Sequence, residues 1–398
     1  MKVLFLSNVP APYRVDFFYE LGKYCDLTVV FEGKYATDRN EKWKSSKMKK
    51  LNCIFLNGIQ CSSDSFFSLE ILKIIKKKWD FIILGGYSTP TAMLAIIYLK
   101  MKKISFYLEV DGGLISNDNI VKFHIKKHFI SSADGWFSSG KKTNDYLVYY
   151  GAKKEKCYIY PFTSITSNDL INNFIGDNKQ VNNVRKYFVE KGTDIDIYYQ
   201  QLYNLREMQI IYARSYLSIY EKKMILAVGQ FIYRKGFDML INIADRLSND
   251  VGIYIIGGKP TKEYLDLKKN NKLNNIHFVD FLSKEDLDYY YKAADIFVLP
   301  TREDIWGLVI NEAMSHGLPV ITTNQCIAGL ELIENGKNGY IVEVNQQELL
   351  NKIKNVLGSD SIKMGINGLE KIKNYTIEEM ALRHIDLINE IFNERNEK

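Results

Sequence analysis

The chain has 398 residues, 46% of them hydrophobic and 25% charged, with 27 Tyr, 21 Phe and 7 Pro, enough for two ordinary cores at ~100–200 residues per domain. That composition excludes disordered, collagen-like and low-complexity architectures, and no apolar run nears the roughly 18 residues of a membrane span. The net charge of +6 is uneven: residues 1–165 carry 25 Lys and Arg against 15 Asp and Glu, the remainder 28 against 32, so the first part suits an anionic surface or substrate.

In chain order, strand-like runs at Lys2–Ser7, Leu27–Phe31, Phe81–Leu84, Ser105–Glu109, Gly135–Ser138 and Cys157–Tyr160 alternate with helical spacing over Tyr13–Tyr24, Ser68–Lys78, Thr89–Lys102 and Ile120–Ser131. This alternation predicts a parallel sheet with right-handed crossovers. From Thr163 to Glu221 the text turns Asn-rich and then Tyr-rich, and residues 166–220 are read as an interdomain helical insertion. Alternation resumes with strands at Met224–Val228, Gly252–Ile256, Ile276–Phe278, Ile296–Leu299, Val320–Thr322 and Gly339–Val342, before an amphipathic helix over Thr376–Lys398. The expected fold is α/β, with two Rossmann-like, doubly wound parallel sheets facing a central cleft. One domain spans 1–165 and takes back the tail helix 376–398; the other spans 221–375. Ligands of such folds sit at the C-terminal edges of the strands.

The five Cys (25, 53, 61, 157 and 326) are scattered without C-x-x-C, which fits a reducing compartment and neither a disulfide framework nor a zinc site. The apolar stretch at the N-terminus is too short for a signal peptide, so a cytoplasmic location is expected. Dispersed lysines and the lack of a recognition motif speak against nucleic acid.

Neither half carries G-x-G-x-x-G after its first strand, which disfavours a dinucleotide oxidoreductase. After Val228 comes Gly229-Gln230-Phe231-Ile232-Tyr233-Arg234-Lys235-Gly236. A strand–loop–helix junction with Lys235 and Arg234 can hold a diphosphate, through backbone N–H groups and charge together; solvated helix-entry charges are the alternative. The richest stretch is Pro300–Val320, where Glu303 and Asp304 follow a strand end and Glu312 lies eight residues beyond Asp304. On one helix that spacing is ~12 Å of rise, too far to share a proton transfer but suited to gripping two ends of a nucleotide sugar. Gly307 lets backbone approach a ligand.

Asp304–Glu312, followed by Ala-Met-Ser-His-Gly-Leu-Pro-Val, resembles the donor signature E-x(7)-E of retaining GT-B glycosyltransferases of group 1. Gly229 through Gly236 resembles that family's G-R-x(4)-K-G loop, and Phe278–Pro300 its run into the donor site. The resemblance implies that Glu312 accepts from ribose hydroxyls, Lys235 neutralises the diphosphate, and Asp304 touches the transferred sugar. Backbone N–H groups at Trp306, Gly307 and Leu308 would meet sugar or phosphate, with Gly229, Gln230, Arg234 and Glu303 completing the donor side. The acceptor would enter near Pro12, Tyr13 and Arg14. Three positions depart from the pattern. Asp304 is shorter than the usual Glu, Gln230 replaces the loop Arg, and the usual first-domain His is missing where the chain reads Leu108-Glu109-Val110-Asp111-Gly112. Asp111 either takes over a polar contact to the sugar or begins a glycine turn.

Other features have plain alternatives. His124 and His128 sit at i, i+4, but no further ligand lies near and surface histidines are expected. Their helix, Ile120–Ser131, is expected to pack on the sheet, with contact to anionic lipid as the alternative. Gly86 and Tyr87 either line the cleft or form a turn before an N-cap. The Tyr excess is read as packing.

The function so implied is transfer of a sugar from a nucleotide-diphosphate sugar, UDP ahead of GDP, to a saccharide or lipid-linked acceptor. Retention, front-face displacement and a role in cell-surface polysaccharide or glycolipid assembly are expected, with Asp304, Asp111 and Lys235 as catalytic candidates. No cofactor is expected and, without a D-x-D pair, no metal. Peripheral contact with the inner face of an anionic plasma membrane is also expected. Competing readings are a nucleotide-sugar epimerase of the same fold and a non-catalytic glycosyltransferase partner.

Overall fold

The computed structural model describes residues 1–34, 46–174 and 195–396. The chain divides into two compact units, residues 1–163 with 376–398 and residues 164–375.

The first unit runs β1 (Lys2–Ser7), α1 (Pro12–Leu21), β2 (Asp26–Phe31), β3 (Cys53–Phe55), a hairpin β4 (Ile59–Gln60) and β5 (Phe66–Phe67), α2 (Ile71–Ile75), β6 (Phe81–Leu84), α3 (Pro90–Met101), β7 (Tyr107–Val110), α4 (Ile120–Ile130), β8 (Gly135–Ser138), α5 (Lys141–Tyr149) and β9 (Cys157–Ile159). Seven strands form a parallel sheet in the order β3-β2-β1-β6-β7-β8-β9, with Val3 beside both Leu27 and Phe81. Alternation along β1 sends Leu4 and Leu6 to a core shared with Ala95, Ile96 and Leu99 of α3. Phe5 points the other way and meets Phe17 and Phe18 of α1 edge-on. The C-terminal helix Ile377–Asn396 packs beside α1 on that face and buries Met380, His384 and Ile388.

The second unit opens with α6 (Ser167–Phe174) and α7 (Ile195–Leu217). It continues β10 (Lys223–Val228), α8 (Phe237–Ile241), β11 (Val251–Ile256), α9 (Lys262–Asn270), β12 (Ile276–Val279), α10 (Lys284–Ala293), β13 (Ile296–Leu299), α11 (Leu308–Ser315), β14 (Val320–Thr323), α12 (Ile327–Leu332), β15 (Gly339–Val342), α13 (Gln346–Leu357) and α14 (Ser361–Ile372). Its parallel sheet has the order β12-β11-β10-β13-β14-β15. Strands this apolar, buried on both faces, are what a helix-covered parallel sheet demands.

Of residues 166–220, the described parts, 166–174 and 195–220, are structural members of this unit. Arg206 of α7 is 2% exposed and donates to the carbonyl oxygens of Lys292 at 2.5 Å and Ala294 at 2.6 Å, while Arg214 donates to Ala293 at 2.9 Å. These guanidinium groups satisfy carbonyls at the C-terminus of α10 that have no partner within the helix. Residues 175–194 of the stretch lie outside the described residues. The strand order reverses between β1 and β6 in one sheet and between β10 and β13 in the other, so the loops after these four strands occupy the ligand-binding edge of each unit.

Candidate functional site

In the second unit the two loops at the switch point are locked together. Gly236 adopts φ +69°, and a Cβ there would lie 1.9 Å from the carbonyl oxygen of Pro300, so only glycine permits the approach. Arg302 N–H donates to the Arg234 carbonyl at 2.8 Å, and the Arg302 guanidinium grips Asp238 at 2.8 and 2.6 Å. This brings Lys235 Nζ to 2.5 Å from Asp304 Oδ2. Arg234 Nη1 lies 3.6 Å from Asp304 Oδ1 and donates to the Glu303 carbonyl at 2.8 Å. Gln230 and the Glu303 side chain are exposed.

Asp304 does not share a helix with Glu312, as the eight-residue spacing had implied. It sits in the loop before α11, in a parallel bridge with Cys326, its N–H donating to the Gln325 carbonyl at 2.8 Å. The helix starts only after Gly307, whose φ of +98° turns the chain; a Cβ at Gly307 would lie 2.7 Å from Cys326 Sγ. No side chain caps α11, so its N-terminus, at Leu308, can receive an anionic group. Trp306 contributes backbone: its ring is buried and donates to Asn311 Oδ1 at 2.9 Å, while its carbonyl accepts from Ala328 N–H at 2.9 Å. Gly229 ends β10 at φ +153°.

Glu312 lies one turn into α11, half-buried. Ser164 donates to Oε1 and Tyr291 to Oε2, each at 3.0 Å. Burial raises its carboxyl above the ordinary range, and the two hydroxyl donors oppose that rise. Behind it His316 stacks on Tyr291 with centroids 4.7 Å apart, and its Nδ1 and Nε2 meet the Glu312 carbonyl at 2.7 Å and Asp288 Oδ1 at 2.9 Å. The neighbouring Cys326 thiol is fully buried and pushed up to about 12 by burial.

In the first unit, Arg14 near the start of α1 is buried and pairs with Glu109 at 2.7 Å and Asp111 at 2.5 Å. Tyr160 donates to Asp111 at 3.3 Å. Burial, then Glu109, push the Asp111 carboxyl up, against Arg14. Pro12 occupies the first turn of α1, and Tyr13 meets Phe162 edge-on at 5.8 Å. The Tyr87 hydroxyl, one residue past Gly86 (φ +120°), is hydrogen-bonded to Tyr146, and Thr89 caps α3 through Ala92 N–H at 3.2 Å. In α4 the expected packing is slight: Ile130 alone is buried, whereas Ile120, Val121, His124 and His128 are exposed.

Several partners escaped the sequence. Glu109 and Asp111 stand at i, i+2 on a strand end, a spacing that places both on one face and that Arg14 could have been matched to. His384, stacked on Phe137 at 5.3 Å and 3.8 Å from Glu109, is 370 residues from Arg14 and carried no local signal; the same holds for Ser164 beside Glu312. Among the described residues no group of three or more His, Cys, Asp and Glu is placed to hold a metal ion, and no helix is long and apolar enough to cross a membrane.

Residues 211–378 match the family described as glycosyl transferases group 1. An uncharacterized glycosyltransferase of Haemophilus influenzae is 33% identical over 141 residues, covering 34% of this chain and 39% of that protein. The lipopolysaccharide glucosyltransferase WaaG of Escherichia coli is 29% identical over 161 residues, 39% of this chain and 42% of WaaG. Each match spans less than half the length of the relative. The solved structure of Anabaena HepE in complex with UDP has a TM-score of 0.73 at 15% identity, covering 98% of this chain and 100% of that one, and WaaG aligns with a TM-score of 0.60 at 14% identity, over 97% and 99%. The fold is that of the GT-B class.

Proposed function

From the match of residues 211–378 to the glycosyl transferases group 1 family, we propose that the chain moves a sugar from a nucleotide-diphosphate sugar to an acceptor hydroxyl with retention of configuration. The observation that carries the reading is the pairing of Lys235 and Asp304 at 2.5 Å beside the uncapped start of α11. The diphosphate takes the α11 N-terminus with Lys235 and Arg234, Asp304 receives hydroxyls of the transferred sugar, and Glu312, oriented by Ser164 and Tyr291, accepts from the ribose. As the bond from the anomeric carbon to the diphosphate breaks, the acceptor oxygen bonds to the same face. The leaving oxygen takes the acceptor's proton, and the cations stabilise what charge remains. Asp111, tied to Arg14, takes a polar contact to the transferred sugar, and the acceptor enters near Pro12, Tyr13, Gly86 and Tyr87.

A uridine donor is favoured by HepE, solved with UDP and with UDP-glucose. Transfer without a metal is supported by Glu109 and Asp111 both being paired with Arg14. A lipid-linked or saccharide acceptor in polysaccharide or glycolipid assembly, at an anionic cytoplasmic membrane face, is consistent with α4. There the exposed Ile120 and Val121 stand beside Lys122 and Lys127. The second reading, a non-catalytic nucleotide-sugar binder, draws on the neutral, exposed Gln230 where the family has Arg.

Thermal stability against UDP, GDP, ADP and their sugar conjugates tests the donor site. A rise of several degrees with one nucleotide family is expected, and it disappears in Glu312→Ala. No rise with any nucleotide, or an undiminished rise in the variant, overturns the placement. Binding without transfer to any acceptor extract favours the second reading.

A further inference from the structure

A cavity of about 470 Å³ lies at the N-terminal edge of the second unit's sheet, opposite the loops that carry Lys235 and Asp304. Glu221 and Asp250 reach it from just before β10 and β11, whereas the donor loops leave the other ends of β10 and β13. Its floor is rigid. Tyr254 of β11 and His277 of β12 stack with centroids 4.3 Å apart and planes 15° from parallel. The Glu221 carboxylate bridges them, accepting from Tyr254 Oη at 3.1 Å and meeting His277 Nε2 at 2.6 Å. Ser218 and Asn249 add a hydroxyl and an amide to the lining.

The rim is open, and its Tyr220 is 89% exposed. A tyrosine left in water beside a fixed carboxylate forms a surface that is apolar on the ring face and hydrogen-bonding at its edge. A pyranose ring has the same division: a C–H face for stacking and hydroxyls around its edge that donate to carboxylates and amides. The lining also excludes other occupants. Glu221 and Asp250 repel a phosphate or an anionic headgroup, and the nearby Lys222 ammonium is held by Asp250 at 2.9 Å. An apolar protein segment would have to desolvate the Glu221 carboxylate.

We propose that this cavity is a saccharide subsite that holds a neutral sugar unit of the acceptor chain, away from its reacting end. The inference rests on the glycosyltransferase reading above and adds a second place where the acceptor is held.

The test uses the full chain, with maltohexaose, cellohexaose and laminarihexaose as probes in saturation-transfer NMR, and UDP thermal shift run on the same samples. At least one hexasaccharide is expected to bind saturably. Tyr220→Ala and Asp250→Ala, both at exposed positions, each weaken it about tenfold, the scale of one lost stacking or hydrogen-bonded contact, while the UDP shift stays unchanged. No binding of any probe beside an intact UDP shift overturns the subsite alone, as does binding that both variants leave untouched. A dimer in sedimentation velocity that Tyr220→Ala dissociates also overturns it, assigning the face to a second copy. Loss of the UDP shift in the unmutated protein overturns the underlying reading, and the acceptor role with it.

Discussion

Arg14 in the first unit faces Glu109 and Asp111 at 2.7 and 2.5 Å with 7% of its side chain exposed. In the second unit Lys235 and Arg234 face Asp304 at 2.5 and 3.6 Å; 42% of the Arg234 side chain is exposed, against 13% of Lys235 and 11% of Asp304. Both clusters stand at the ligand-binding edge of a parallel sheet, but they are built for different purposes. In the first, Tyr160 and His384, both fully buried, close over Arg14 and Glu109 while the Asp111 side chain stays 31% exposed, so the inner charges depend on one another. The second rides on two loops and can exchange a carboxylate for an incoming anion. A buried ion group fixes geometry at the cost of desolvation; an exposed one stays available.

The largest break in this comparison is expected from Arg14→Met. It strands the buried Glu109 carboxylate and leaves the partly exposed Asp111 without its cation, and should cost about 3–5 kcal/mol of stability in urea unfolding. A loss below about 1 kcal/mol would mean that the inner charges do not depend on one another.

The middle effect is a pair of opposing pH slopes. Burial lowers His384 to about 3, so the unfolded chain takes up this proton first as pH falls; the stabilisation is complete above roughly pH 6.5 and is lost toward pH 3. Burial raises the Glu32 carboxyl to about 7, against its hydrogen bond from Thr89. Here the folded chain takes the proton first, and stability falls as pH rises from about 4.5 to 7. Between pH 7 and 5 the two terms nearly cancel at about 2 kcal/mol each. His384→Leu should therefore gain stability on acidification over that range, and Glu32→Gln should lose it, each read from unfolding midpoints at the two pH values. Parallel pH profiles for the variants and the unmutated protein would contradict this.

The smallest effect is expected from Arg234→Ala, within about 1 kcal/mol of the unmutated stability, because 42% of its side chain is exposed. The same variant should weaken the UDP thermal shift. A large stability loss from Arg234→Ala would erase the contrast between the clusters.

The sheets were legible because β-branched and aromatic runs alternate with helical spacing, and most strand limits fall within a residue or two of those read. What escaped has physical reasons. β3 is a three-residue, half-buried edge strand, and the β4–β5 hairpin has two residues per strand, too short for a period. The helix read over Ser68–Lys78 shrinks to Ile71–Ile75, ending before Lys76, Lys77 and Lys78. At the candidate site, the motif spacing singled out Lys235, Asp304 and Glu312 as candidates, but a spacing carries no φ angle. The turn at Gly307 separated Asp304 from the helix. The partners of Glu312 and Arg14 come from Ser164, Tyr160 and His384, contacts that only the folded chain reveals.

The helix Ile377–Asn396 has a consequence for biogenesis. It covers Phe17 and Phe137 of the first unit, yet it is encoded after the whole of the second. During synthesis the amino-terminal sheet therefore emerges with the face that carries α1 only partly covered, and waits until some two hundred further residues have been made. The central unit can close first, while its neighbour keeps apolar surface uncovered until the tail has been made. Removing that tail would leave a folded donor unit attached to an amino-terminal half with an open core.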